Sequence, residues 1–129
     1  MTIELTVLAY AALLQLVQFT LFSIGANLQI GPKRAMSPRD ERIELTGKPG
    51  RLQRAMNNHF EALILFTIAV TIVTLGDKAS GFTANCAWVY LIARILYVPA
   101  YYFGLSPWRS LIWFTGLVAT TLMILSSLI

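Results

Sequence analysis

A cation, an amide and an anion share one helical stripe in a segment that is otherwise apolar. Arg54, Asn58 and Glu61 are spaced at i, i+4 and i+7 and lead directly into the apolar stretch 62–70. This spacing places the three side chains on one face of a helix. An ionised carboxylate inside hydrocarbon costs several kcal/mol unless a partner holds it. The stripe therefore indicates a built site rather than a solvated helix face.

A second polar stripe lies in a later apolar segment. Successive spacings of four, three and four residues separate Tyr90, Arg94, Tyr97 and Tyr101, so on a helix they share one face. Arg94 lies deep in the apolar run and needs an internal partner, for which Glu61 is the candidate. Two roles are open for this predicted ion pair. It either serves only to fix the register of the two helices, or it also forms part of the binding site.

The remaining candidates for chemistry have simpler interpretations. His59 is off the first stripe and alone, which favours an interfacial packing residue over a catalytic base. Cys86 is the single cysteine, so an intrachain disulfide is excluded. One cysteine and one histidine also give no basis for a structural zinc site, and no metal is predicted.

The composition indicates a membrane protein. Hydrophobic residues make up 57% of the 129 residues and charged residues 12%, against about 25% charged in a typical soluble protein. Seven of the ten Lys and Arg residues fall between positions 33 and 54. A basic segment between two apolar ones is typical of a topology determinant, and Arg39 and Arg42 are expected to face lipid headgroups. We therefore expect contact with the lipid bilayer and no nucleic-acid partner.

Four segments can span the bilayer, since about 30 Å of hydrocarbon takes roughly 20 helical residues. They cover residues 3–30, 52–75, 82–103 and 107–129. The first link carries the breaker signals Gly31-Pro32, Ser37-Pro38 and Pro49-Gly50, and the other two links are short. Because short links make neighbouring helices antiparallel, we expect an all-α membrane protein whose single domain, 1–129, is an up-down bundle of four transmembrane helices.

The distribution of positive charge predicts the orientation of this bundle. The basic first loop and the link beside Arg109 are expected on the cytoplasmic side, whereas Lys78 in the second link is offset by Asp77. Both termini are then expected on the outer, non-cytoplasmic side.

The two stripes and the four spans resemble the MAPEG family, the membrane-associated proteins in eicosanoid and glutathione metabolism. Its second-span pattern Arg-Ala-x-x-Asn-x-x-Glu is matched from Arg54 to Glu61, and its third-span pattern Arg-x-x-Tyr-x-x-x-Tyr from Arg94 to Tyr101. The basic pair that closes the first span, Lys33-Arg34, is also similar. The resemblance covers nearly the whole chain.

This resemblance implies a homotrimer that binds glutathione as co-substrate between neighbouring subunits, near the cytoplasmic face. Arginines would bind its carboxylates, Glu61 its ammonium, and amides and phenols its peptide groups. The residues expected to hold glutathione are Arg34, Arg51, Arg54, Asn58, Glu61, Arg94, Tyr97 and Tyr101.

The resemblance also implies a catalytic arginine near the start of the fourth span, which stabilises the glutathione thiolate. Arg109 is the match, although a count without gaps from Arg94 ends one residue earlier, at Trp108. The hydroxyl of Tyr101 is expected to assist. Lowering a thiol pKa from about 8.5 by about two units takes roughly 3 kcal/mol, which one partly desolvated arginine can supply.

Three functions remain open at this stage. The first is an integral membrane glutathione-dependent transferase or peroxidase acting on apolar electrophiles or lipid hydroperoxides from the bilayer. The second is a non-catalytic lipid-binding or scaffolding protein of the same fold, because Ala62 stands where some eicosanoid-forming members have a tyrosine. The third is a proton- or ion-handling protein that uses Glu61 and Arg94 as a relay.

Overall fold

The computed structural model describes residues 1–37 and 44–129, and this part of the chain is helical apart from short links. Its helices are α1 (Ile3–Ile30), α2 (Pro32–Ala35), α3 (Gly47–Leu75), α4 (Gly81–Tyr102) and α5 (Trp108–Ser127). The four long helices are each apolar and long enough to cross a membrane. The predicted all-α membrane protein with four long apolar helices is therefore confirmed. Pro38, Arg39 and Arg42 lie outside the described residues.

The helix ends depart from the sequence prediction mainly in the first link. α3 begins at Gly47 rather than at residue 52, so Pro49 and Gly50 lie in its first turns instead of in a loop. Proline is tolerated there because the first N–H groups of a helix have no intrahelical acceptor. The single turn α2 was not predicted; it follows Gly31, whose φ of 86° lies in the region that favours glycine.

Hydrogen bonds at the starts of α3 and α4 fix how these two helices enter the bundle. Ser80 and Thr83 form a capping box at the start of α4, with N···O distances of 3.3 and 2.7 Å. At the start of α3, the backbone of Thr46 is held by the side chain of Gln29, which accepts at 2.9 Å and donates at 2.8 Å. The end of α1 is thereby tied to the beginning of α3.

The core lies along α3 and α4, which each pack against the other three long helices. Small side chains let the helix backbones approach closely, among them the buried Ala69, Ala87 and Ala119. Phe66 of α3 stacks on Tyr90 of α4, with ring centroids 3.9 Å apart and planes inclined by 7°. This stack fixes the two helices that carry the polar stripes relative to one another.

Large apolar side chains cover the outside of the bundle. On α1, for example, Leu13, Leu16 and Phe19 are each more than half exposed. A surface of this kind is suited to acyl chains or to a neighbouring membrane helix. The helix bundle is therefore associated with the lipid bilayer.

Candidate functional site

Arg94 is the centre of the polar cluster inside the bundle. Its side chain is only 2% exposed. Its Nε donates to Nδ1 of His59 over 3.2 Å, and its Nη1 donates to Oδ1 of Asn58 over 3.1 Å. The guanidinium also lies over the ring of Tyr97, 4.3 Å from the centroid, where the ring face attracts a cation. Two helices, α3 and α4, thus hold one buried charge.

The ion pair predicted between Glu61 and Arg94 is absent. Within the described residues Arg94 is bonded by His59 and Asn58, while the Glu61 side chain is exposed and forms no ion pair. The prediction was wrong because it assumed that only a carboxylate could hold a buried arginine. A neutral imidazole and an amide oxygen also accept hydrogen bonds from a guanidinium.

His59 is a core residue rather than the interfacial residue that its sequence position suggested. It is 0% exposed, and its Nε2 lies 3.0 Å from the carbonyl oxygen of Ala11 in α1. A signal for this burial was present in the sequence. His59 precedes Phe66 by seven residues and Val73 by fourteen, and both of these lie in the core. A heptad spacing places all three on one face of α3.

Two pockets that share Asn58 and Trp113 lie at this polar cluster, and together they are called the groove. The first pocket, with an empty volume of about 550 Å³, lies between α3, α4 and α5. The second has about 490 Å³. Asn58 and Trp113 line both pockets. The other residues that line the first pocket are Glu61, Ala62, Leu65, Tyr90, Arg94, Gly116, Leu117 and Thr120. The other residues that line the second pocket are Tyr97, Tyr101, Arg109 and Ser110.

Tyr101 is surrounded by cations at the second pocket. The guanidinium of Arg109 lies 4.7 Å from its ring centroid. Arg54 donates from Nε to the Tyr101 hydroxyl over 3.2 Å. The Tyr97 ring lies beside it, with centroids 5.6 Å apart. This end of the groove therefore combines positive charge with phenol hydroxyls, which suits an anionic ligand.

Two of the predicted binding residues lie apart from the groove within one chain. Arg51 donates from Nη1 to the carbonyl oxygen of Tyr102 over 3.2 Å, and Arg34 is on the exposed single turn α2. Neither lines the two pockets. Arg54 does not line them either, but it reaches the groove through Tyr101.

Two buried polar atoms at the first pocket have no hydrogen-bond partner in the described part of the chain. They are Nη2 of Arg94 and the hydroxyl oxygen of Tyr90, and both side chains line this pocket. Leaving a buried donor unpaired costs about 1–3 kcal/mol. Two residues that line the groove thus each keep a buried polar atom whose capacity for hydrogen bonding is unused.

The fold and the site together define an integral membrane helix bundle with a cationic, aromatic groove between its last three long helices. A family model described as the MAPEG family matches residues 7–129, and the chain belongs to this family. The family includes glutathione transferases and peroxidases among other members, and its members generally use glutathione. No curated protein matches the chain significantly.

Proposed function

We propose that this protein is an integral membrane glutathione-dependent transferase or peroxidase that acts on apolar electrophiles or lipid hydroperoxides. The observation that carries the proposal is the groove, where α3, α4 and α5 bring Asn58, Glu61, Arg94, Tyr97, Tyr101 and Arg109 to two adjoining pockets. Family membership supports the same activity, since glutathione use is general in the family.

The chemistry of the groove matches that of glutathione. The tripeptide carries two carboxylates, an ammonium and a thiol, and its peptide groups need hydrogen-bond partners. The free carboxylate of Glu61 suits the ammonium, and the cationic end near Tyr101 suits a carboxylate or a thiolate. The unpaired donors of Arg94 and Tyr90 provide further capacity for oxygen acceptors.

Arg109 is the residue best placed to stabilise the thiolate. Its guanidinium packs on Tyr101 and lines the second pocket, whereas the neighbouring Trp108 is 62% exposed and lines neither pocket. A cation beside the sulfur favours the charged form and lowers the thiol pKa. The Tyr101 hydroxyl, which accepts from Arg54, can still donate its own proton toward the sulfur.

The site is completed in a homotrimer, in our proposal, with glutathione held between neighbouring subunits. The exposed apolar faces of the long helices provide surface for such packing. Arg34 and Arg51, which lie apart from the groove within one chain, would contact the ligand in this assembly. Native mass spectrometry from detergent tests this point: three chains per particle are expected, and a monomer would contradict it.

Glutathione binding tests the function directly. For protein purified in detergent, millimolar glutathione is expected to raise the melting temperature through mass action and to give an ultraviolet thiolate absorbance. Arg109→Ala should abolish this absorbance, and turnover of 1-chloro-2,4-dinitrobenzene should fall with it. Lys78→Ala, in the link at the opposite end of α3, is the matched loss of a positive charge. If glutathione neither binds nor stabilises the wild-type protein, the proposal fails.

One observation favours the non-catalytic alternative, a lipid-binding or scaffolding protein. An open apolar depression lies between α4 and α5, lined by residues such as Phe82, Val89 and Leu122, and it could hold an acyl chain. Lipid retained through purification, with no turnover of the electrophile, would support this alternative. The ion-relay hypothesis lacks such support, because Glu61 and Arg94 are not paired.

A further inference from the structure

We propose that His59 is a positioning residue of the groove. Its neutral ring, anchored on α1, holds the Arg94 guanidinium so that Asn58 presents its amide NH₂ group to the thiol ligand. This inference rests on the proposed function, because it takes glutathione as the ligand that Asn58 contacts. It assigns a ligand-related role to a residue that is itself buried and lines neither pocket.

The protonation pattern of His59 follows from its two neighbours. A guanidinium has only donors, so the Nδ1 atom that faces Arg94 at 3.2 Å must accept. The carbonyl oxygen of Ala11 has only lone pairs, so the Nε2 atom that faces it at 3.0 Å must carry the proton. Both bonds together specify the neutral Nε2–H tautomer.

The same argument continues from Arg94 to the groove. Because Nη1 of Arg94 donates to Asn58 over 3.1 Å, the amide atom that faces it must be Oδ1. This leaves Nδ2 of Asn58 without an acceptor among the described residues. Asn58 is half-buried and lines both pockets of the groove. Its free NH₂ group is therefore a donor for a carboxylate or peptide oxygen of the ligand.

The chain of contacts crosses three helices. It begins at the Ala11 carbonyl in α1, passes through His59 in α3 and Arg94 in α4, and returns to Asn58 in α3. If His59 is removed, the guanidinium loses the bond that fixes its plane. The amide of Asn58 is then free to flip and to turn its oxygen toward the ligand.

Two substitutions separate the two hydrogen bonds of His59. The Oδ1 atom of asparagine is two bonds from Cβ, like Nδ1 of histidine, so His59→Asn keeps an acceptor for Arg94 and loses the contact with Ala11. The Nε2 atom of glutamine is three bonds from Cβ, like Nε2 of histidine, so His59→Gln keeps a donor for Ala11 but has no acceptor at the position of Nδ1, because its amide oxygen is one bond further from Cβ. Both variants should melt at lower temperature than the wild type.

Steady-state kinetics with glutathione and 1-chloro-2,4-dinitrobenzene give the decisive readout. His59→Gln should raise the KM for glutathione about tenfold, the effect of one lost hydrogen bond to a charged group, with kcat changed by less than about twofold. His59→Asn should leave KM within about twofold of wild type. A purely structural residue would show no such split, so equal KM values in the two variants would overturn the proposal.

A spectroscopic measurement decides the protonation pattern even if a variant fails to fold. His59 is the only histidine, so ¹⁵N labelling of histidine gives one ring signal pair in the wild-type protein. A protonated Nε2 and an unprotonated Nδ1 are expected, and the opposite tautomer would overturn the proposal. Absence of glutathione saturation in the wild type would instead refute the proposed function, while this spectrum still tests the hydrogen-bond chain.

Discussion

Arg94 is a buried cation that, among the residues the structure describes, is held by neutral partners rather than by a counter-ion. Its hydrogen bonds go to an imidazole and an amide, and its plane lies over the ring of Tyr97. Within the described part of the chain, these partners accept from Nε and Nη1, leave Nη2 unpaired, and provide no opposite charge for the guanidinium. The remaining charge stands at the wall of the groove, where an anionic ligand can compensate it.

The contacts of Arg94 should require the planar, forked guanidinium group of arginine. Arg94→Lys keeps the charge, but one ammonium on a flexible stem cannot serve His59 and Asn58 as the planar guanidinium does. With bonds to charged groups worth about 1.5–3 kcal/mol each, we expect the free energy of unfolding to fall by about 2–4 kcal/mol. Chemical denaturation in detergent measures this, and the exposed Arg54→Lys serves as the control, with a change of about 0.5 kcal/mol or less. Equal effects of the two substitutions would contradict a fork held at Arg94.

At the residue scale, the sequence revealed the polar groups of the site but not their partners. The spacing of Arg54, Asn58 and Glu61 predicts one face of α3, because helical periodicity is local, and two of the three, Asn58 and Glu61, line the first pocket. The partner of Arg94 depended on how α3 and α4 are rotated about their axes, which the sequence leaves open. Charge complementarity favoured Glu61, whereas packing placed His59 in the interior instead.

At the element scale, the start of α3 decides where the basic end of the groove lies. α3 begins at Gly47 instead of the predicted residue 52, and this earlier start adds more than one turn to the helix, at 3.6 residues per turn. Arg51 and Arg54 therefore sit on regular helix rather than near its first turn. Breaker residues predicted a loop here, but their cost is small at a helix N-terminus, so the bond between Thr46 and Gln29 can fix the start further upstream.

This helix start should depend on the missing side chain of Gly50. A Cβ atom there would lie 2.5 Å from the carbonyl oxygen of Leu45, closer than atoms can approach without a backbone shift. Gly50→Ala should therefore lower the free energy of unfolding by about 1–3 kcal/mol, as overpacking does. Gly81→Ala, at the first residue of α4 with nothing within 4 Å of its added Cβ, should be neutral or slightly stabilising. Comparable melting temperatures for the two variants would contradict this account of the helix start.

At the scale of the whole molecule, the arginine-rich end of the groove lies at the same end of the bundle as the first link. Arg51 donates to the carbonyl oxygen of Tyr102 at the end of α4. Its guanidinium also lies close to Gly104, where an added Cβ atom would be only 3.3 Å away from it. The start of α3 and the end of α4 thus meet beside the link to α5. The four spans could be derived from hydropathy alone. A subunit assembly cannot be derived in this way, because apolar surface that faces lipid and apolar surface that faces a neighbouring subunit look alike in a sequence.

The predicted orientation of the bundle determines which links a membrane-impermeant maleimide should reach. Among the described residues between positions 37 and 79, α3 is the one long helix, and positive charge favours the cytoplasmic side for residue 37. In a Cys86→Ser background, which removes the single cysteine, Ala79→Cys should be labelled on intact cells. Ser37→Cys should be labelled only in inverted vesicles. In those vesicles, glutathione added to the outside would also reach the groove. The reverse pattern would place the groove on the outer side, away from a cytoplasmic thiol pool, and labelling of both positions from one side would show that α3 does not span the membrane.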